Sequence, residues 1–411
     1  MNPSSWKSFF EDTHKLSKPA QAKQLISKED ISETEVLLIN VLNGYLANEV
    51  LNIGLKIYVN NELRNDFIAK MAANPPKPEY SLESWTQQIF GDQKFGIILM
   101  GLEQYSNSFT EKAATIIRPL IEVAGLPLHG LSFLFFMGNY GFTPFGIHKD
   151  APGEDGILFH LGPGKKQFYT WDNPKYNTIK HQSKVFHNVS EMLPKGKVHE
   201  LAPGDAMFIA HYVYHIANTP EFSVSVVLDY INPSKDLFEN ELIKETAEEN
   251  LIHHTKYEKP LKLDASQSSL NELLDIHSLQ RKMEIALRRK ITRLKSNGGI
   301  GKKSNKIKAS IPSMNNFVVK GKEIFPIYLD EQDPKNILLF ARGHRIVKKP
   351  NPKLSQLIDQ LNKGESIKLV AIKQQMEPLW DLIEIFSFIQ DLLSIEAIIL
   401  DSTTNEIAEH K

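Results

Sequence analysis

The chain has 411 residues, 41% hydrophobic and 24% charged, with a formal net charge of −1 and no cysteine. That is ordinary globular composition, with material for roughly two to three domains and a sizeable core. It excludes disulfides, thiolate metal sites and a cysteine nucleophile, and the near-neutral balance gives no general pull toward nucleic acid or membrane.

Met1-Asn2-Pro3-Ser4-Ser5-Trp6 lacks the charged-then-apolar pattern of a signal peptide. No apolar run approaches the ~20 residues of a membrane span. A cytoplasmic protein with no membrane association is expected.

Residues 1 to about 130 read mostly helical. Ser32-Glu33-Thr34-Glu35 has a capping-box pattern ahead of Leu37, Leu38, Val41, Leu42, Tyr45 and Leu46 at helical spacing, with Asn43-Gly44 interrupting the run. Ser84 to Phe90 and Glu111 to Ala124 read as further helices, and Phe95 to Met100 as a buried strand. A helical collar and the first strands of a sheet are expected.

From 131 to 232 the texture turns to β. Leu131–Met137, Ile157–His160, Gln167–Trp171, Ala206–Ala210 and Phe222–Tyr230 are strand-like, separated by turns such as Gly162-Pro163-Gly164 and Pro203-Gly204-Asp205. Many short strands with regular turns predict a barrel or jelly roll.

Residues 233 to about 295 return to helix, with Leu270, Leu273, Leu274, Ile276, Leu279, Met283, Ile285 and Leu287 on an amphipathic pattern. Arg288 to Lys308 reads as a basic linker, and its Gly301-Lys302-Lys303 lacks the glycine and hydroxyl residue of a phosphate-cradling loop. About 312 to 411 reads as a small α+β unit. Its expected strands are Phe317–Val319, Phe325–Leu329 and Ala397–Leu400, its helices Lys353–Leu361 and Met376–Leu393.

The chemistry lies in the β segment. His148 and Asp150 are two apart, so on an extended strand they point to one side. With a distant histidine they have the composition of a facial triad, the ligand set of non-haem Fe(II) and oxygen chemistry. His215 and His211 compete for the third position. Of Lys165 and Lys166 only one can face into a barrel, and a buried lysine needs an anion. His160 reads as a core histidine and Asp205 as a turn residue that bonds nearby backbone.

These residues resemble the JmjC/cupin-type Fe(II)- and 2-oxoglutarate-dependent dioxygenases. The resemblance rests on Thr143-Pro144 with His148-Lys149-Asp150, Gly164-Lys165-Lys166, Leu201-Ala202-Pro203-Gly204-Asp205, His215 and Ser223-Val224-Ser225-Val226. It implies a double-stranded β-helix barrel (core about 131–232) and Fe(II) on His148, Asp150 and His215. Lys166 would pair the far carboxylate of 2-oxoglutarate, with Thr143 and Tyr169 adding hydroxyl contacts. The implied reaction uses O2 and hydroxylates a side chain of a protein or peptide. Alternatives are N-methyl-lysine demethylation by the same chemistry and a non-catalytic cupin-like binding module.

The chain's ends are similar in plan to the ribosomal-oxygenase branch. That implies a catalytic unit with its helical collar at 1–235, a helical dimerisation region and basic linker at 236–308, and a winged-helix-like unit at 309–411. A homodimer is expected. The basic segment from Arg281 to Lys308 suits an acidic peptide or RNA.

Overall fold

The computed structural model describes residues 3–47, 54–173, 176, 185–249, 260–264, 266, 268, 275–309, 311, 317–333 and 335–401. Up to residue 231 the strands are β1 (Ala20–Ala22), β2 (Leu55–Val59), β3 (Glu62–Leu63), β4 (Phe95–Met100), β5 (Gly130–Gly138), β6 (Gly141–Phe142) and β7 (Ile147–His148). There follow β8 (Glu154–Pro163), β9 (Lys166–Trp171), β10 (Val185–Phe186), β11 (Lys197–Leu201), β12 (Ala206–Ile209), β13 (Tyr214–Thr219) and β14 (Ser223–Ile231). They form two sheets, an eight-stranded one in the order β1-β12-β8-β14-β5-β4-β2-β3 and a six-stranded one in the order β10-β7-β13-β9-β11 with β6 on β13. Pairings within both are antiparallel, as a jelly roll requires.

Side-chain alternation sorts these strands into layers. On β14, Val224, Val226, Leu228 and Tyr230 join the largest apolar cluster, with Phe133, Phe135 and Met137 of β5 and Ile157, Phe159 and Leu161 of β8. Helices α1 (Pro3–Asp12), α2 (Lys28–Leu46), α3 (Phe67–Ala73), α4 (Leu82–Phe90) and α5 (Asn107–Ala124) cover that face. The other parity of the same strands, with Leu158, Val227, Leu134 and Phe136, meets Phe168, Leu201 and Ala217 of the six-stranded sheet. The functional cavity opens between the two sheets. Trp171, Tyr214 and Ile216 pack on the far side of the six-stranded sheet, next to the short helix α6 (Val189–Met192).

The N-terminal third is less helical than its periodicity suggests. Leu55–Val59 alternates buried and exposed residues and pairs with β4. Helix α2 starts earlier than expected, because Ser27 accepts from the Asp30 N–H and caps it; Ser32 to Glu35 lie inside. It also runs through Asn43-Gly44. A side chain at Gly44 would meet the Tyr105 carbonyl oxygen at 2.2 Å, so glycine there serves close packing, not a break.

Gly138 ends β5 at φ +146°, and a Cβ there would sit 2.1 Å from the Phe95 carbonyl oxygen. Gly138→Ala is therefore expected to destabilise the fold by roughly 2–4 kcal/mol, read as a lowered denaturant midpoint at unchanged slope.

After the barrel come α7 (Lys235–Glu248) and α8 (Ile276–Lys295). The segment Arg288–Lys295, expected in a linker, is helical. Leu270, Leu273 and Leu274 lie outside the described residues. The remaining strands are β15 (Val318–Gly321), β16 (Tyr328–Asp333), β17 (Asn336–Ala341), β18 (His344–Lys348), β19 (Ser366–Lys368) and β20 (Ile398–Leu400). With α9 (Leu354–Asn362), α10 (Leu369–Met376) and α11 (Leu382–Ser394) they enclose a separate apolar cluster. The helix expected over Met376–Leu393 is two: α10 stops before Pro378, and Asp381 with Glu384 forms a capping box that starts α11. No described helix is long and apolar enough to cross a membrane.

Candidate active site

His148 ends β7 and His215 lies near the start of β13, and the two are directly paired across the ladder. Paired residues share a face, so both imidazoles enter the space between the sheets. Their ring centroids are 4.3 Å apart. Asp150 follows β7 in the next loop, not on an extended strand as its spacing suggested. It still reaches the same point, with Oδ1 3.9 Å from His148 Nε2 and 3.8 Å from His215 Nε2. Among the described residues these three form the one His/Cys/Asp/Glu group close enough to hold a metal ion.

The tautomers are set by the backbone. His148 Nδ1 donates to the Gly146 carbonyl at 3.1 Å, and His215 Nδ1 donates to the Val213 carbonyl at 3.1 Å. A carbonyl only accepts, so both Nδ1 carry the proton and both Nε2 present a lone pair toward Asp150. Phe145 meets the His148 ring edge-on and Phe168 stacks on His215, which fixes both planes. Burial pushes His148 down to about 3 and His215 down to about 4, and raises Asp150 to about 6. Two neutral imidazoles and a carboxylate whose charge is destabilised for want of a cation fit a divalent metal.

The cavity holding the triad measures about 150 Å³, well under the ~300–1,000 Å³ of drug-sized sites, so its occupant is small. Lys166 stands in its wall with a relative exposure of 1%. Burial alone shifts it, down to about 7, and among the described residues no carboxylate pairs with it. Lys165 is exposed. Thr143 also lines the cavity, its hydroxyl 3.3 Å from the Ala217 carbonyl.

Tyr169 does not belong here. On β9 it has the parity opposite to Lys166 and Phe168, and it packs on Phe142 outside the sheet while its hydroxyl donates to Gln167 Oε1 at 3.2 Å. Tyr140 takes the place of a second hydroxyl in the cavity. Its phenol is buried without a hydrogen bond of good geometry, and burial pushes it up to about 12. Nothing in the sequence marks it beyond its position a few residues before Thr143.

His211 is engaged elsewhere: both its backbone N–H and its ring Nδ1 meet Asp155 Oδ1, at 3.0 and 2.8 Å. His160 is fully satisfied, with Nε2 donating to the Gly164 carbonyl at 2.7 Å and Nδ1 accepting from the Ser225 hydroxyl at 3.1 Å. Asp205 accepts from the backbone N–H groups of Ala202 and Gln24 and pairs with Lys23; burial works against its charge, but these bonds keep its carboxyl below the usual range.

Two further carboxylates line the cavity, Glu154 of β8 and Asp229 of β14. Burial raises both, Asp229 strongly, with repulsion from Asp150 and Glu154 adding to it. Among the described residues neither side chain has a hydrogen bond or ion pair. The signal for Asp229 was legible: it shares the parity of Ser225 and Val227 and is the one acid in the run Ser223–Ile231.

No protein-family model and no curated protein matches the chain. Solved structures do. A crystal structure of the Escherichia coli ribosomal oxygenase YcfD matches at TM-score 0.51 and 12% identity over 96% of this chain and 98% of that one. A structure of the same E. coli protein with cobalt and succinic acid matches at TM-score 0.50 and 12% identity, with the same coverage. The chain therefore has the fold of the YcfD ribosomal oxygenase structures, a jelly roll followed by helices and a small α+β part, along nearly its whole length.

Proposed function

We propose that this chain is an Fe(II)- and 2-oxoglutarate-dependent oxygenase of the JmjC/cupin type that hydroxylates a side chain of a protein. The observation that carries the reading is Lys166, a buried lysine with no carboxylate partner among the described residues, in the same small cavity as three converging metal-ligand atoms. A lysine kept there against its desolvation cost implies an anionic ligand, and a metal nearby implies that the ligand also chelates. 2-Oxoglutarate has both ends. The cobalt and succinic acid of the similar YcfD structure support it, since succinate is what 2-oxoglutarate leaves on losing CO2 and taking up one oxygen atom from O2.

The roles divide by position. His148 Nε2, His215 Nε2 and an Asp150 oxygen hold the metal, with Gly146 and Val213 carbonyls fixing both imidazoles. Lys166 takes the far carboxylate, with the Thr143 and Tyr140 hydroxyls beside it. Phe136, Phe145, Phe168 and Leu134 keep water out of the space between. Bound Fe(II) supplies oxygen activation coupled to decarboxylation, one oxygen atom ending in succinate and the other in a substrate C–H bond.

Glu154 and Asp229 extend the reading to the substrate. Two carboxylates without partners at the triad favour a cationic side chain over a neutral or acidic one. Asp229→Asn is expected to raise KM for a basic peptide at least about tenfold, the value of one charge-assisted bond, and to leave peptide-free conversion of 2-oxoglutarate unchanged. Equal losses in both assays would place Asp229 in the fold instead.

The same reading carries a cytoplasmic homodimer, with the catalytic unit at 1–235, a helical dimerisation region at 236–308 and a winged-helix-like unit at 309–411. The separate apolar cluster of the C-terminal part supports the last division. The deciding experiment is succinate formation from 2-oxoglutarate under air with Fe(II), for the wild type and His148→Ala. Succinate from the wild type alone is expected. No succinate, together with no binding of Fe(II) or 2-oxoglutarate by calorimetry, would sink the oxygenase and favour a binding module.

A further inference from the structure

Residues 281–308 hold eleven Lys and Arg against one Glu, in a chain whose net charge is −1. The structure treats these cations in two ways. Where α8 packs, they are neutralised: Arg289 lies between Glu249 and Asp330 at 2.7 Å each, Lys290 faces Glu241 and Glu245, and Arg293 pairs with Glu245. Arg281, Arg288 and Lys295 are exposed, and among the described residues no carboxylate pairs with them. They recur every seven residues, so they stand along one face of the helix over about 21 Å.

Past the helix the cations continue on an extended strap. Lys302, Lys303, Lys306 and Lys308 are all exposed and none forms a salt bridge among the described residues, Lys302 acting only at longer range on the buried Glu103. The strap itself is pinned. The Ser304 N–H donates to the Arg342 carbonyl at 3.1 Å and the Ser304 hydroxyl to the Ile395 carbonyl at 3.0 Å. Asn305 exchanges bonds with Asn107 and donates to the Gln104 carbonyl, and the Ile307 N–H donates to Ser394. A segment held between the barrel side and the C-terminal part thus presents four lysines over about 20 Å of extended chain. A flexible solubilising linker would need none of these anchors.

We infer that the strap Lys302–Lys308, continued by the Arg281–Arg288–Lys295 face of α8, is a docking surface for the phosphate backbone of a nucleic acid. Each of the two runs is about 20 Å long and linear, which suits a linear polyanion, and the large apolar side chains exposed along them are Ile307 on the strap and Ile276 and Leu279 at the start of α8, scattered singly and not gathered into a membrane-inserting face. The inference is independent of the oxygenase chemistry.

The test is anisotropy of a fluorescein-labelled single-stranded RNA oligonucleotide titrated with the full-length chain over a series of KCl concentrations. Two variants carry equal charge changes. One reverses Lys302, Lys303, Lys306 and Lys308 to glutamate; the other reverses Lys7, Lys28, Lys56 and Lys94, which are exposed elsewhere. The wild type is expected to bind at low salt with a steep salt dependence. The strap variant should lose at least about tenfold in affinity and reduce the log–log salt slope by about 3, from ~0.7 per phosphate neutralised, while the control variant keeps both. Equal losses in the two variants would reduce the effect to net charge and overturn the inference. So would absence of RNA binding by the wild type, or binding to anionic phosphatidylserine vesicles without binding to RNA. Unchanged circular dichroism and melting temperature establish that the strap variant is folded.

Discussion

His215→Ala is expected to lower the affinity for Fe(II) or Co(II) by well over ~100-fold, more than loss of an outer-shell partner costs, and to abolish succinate formation. His211→Ala should leave both within a few-fold. The two histidines stand four residues apart and are interchangeable by residue type. Their environments differ. His215 is paired with His148 across the ladder, donates its Nδ1 proton to Val213 and aims Nε2 at Asp150. His211 has Nδ1 on Asp155 at 2.8 Å and takes no part in the triad. Removing it leaves the Asp155 carboxylate with one fewer donor, a cost of about 1 kcal/mol in stability. Calorimetric titration with Co(II) under nitrogen measures the affinities without turnover. A His211 variant that loses metal while the His215 variant keeps it would refute the assignment of His215.

The grouping of His148, Asp150 and His215 was legible because it is local to two paired strands and the loop that follows one of them. His148 and Asp150 are close in the chain, and the turn-bounded apolar runs around them set which strands can meet. It misplaced Tyr169 by the same alternation that placed Lys166: both lie on β9, but three residues apart, so they face opposite sides. Asp229 was equally readable by parity, yet an acid near the end of an apolar strand looks like an exit to solvent until the facing sheet is known. The start of α2 was misread because Ser27 and Ser32 both offer a cap, and only the structure shows which hydroxyl accepts a backbone N–H. The hairpin β17–β18, with Ile337 to Phe340 fully apolar, was missed because the β-branched and apolar run is short and continuous and has no period of its own. Tyr140 could not be found at all, since its role depends on a cavity formed by both sheets.

Lys166→Met should separate ligand binding from stability, with opposite signs. Methionine matches the length of most of the lysine side chain but carries no charge. The Lys166 side chain is buried at 1% exposure and among the described residues no carboxylate pairs with it, so its removal should stabilise the protein when no ligand is added. Each kcal/mol gained raises Tm by roughly 1 °C in a chain of 411 residues that unfolds as one unit. The pH dependence gives the same answer independently. Lys166 titrates near 7 in the folded chain against about 10.5 unfolded. Between those values the unfolded chain binds the extra proton, so the stability of the ligand-free wild type should rise with pH across that window. That rise should be absent from Lys166→Met. The affinity for 2-oxoglutarate should meanwhile fall roughly 10- to 100-fold, the worth of a charge-assisted bond in a dry site, and saturating 2-oxoglutarate with Co(II) should raise the wild-type Tm far more than the variant's. The metal affinity of the two proteins should be alike, because Lys166 is not one of the ligand group. A Lys166→Met protein that melts lower than wild type and still gains the full thermal shift from 2-oxoglutarate would show that the lysine is there for the fold and that the far carboxylate is held by other groups.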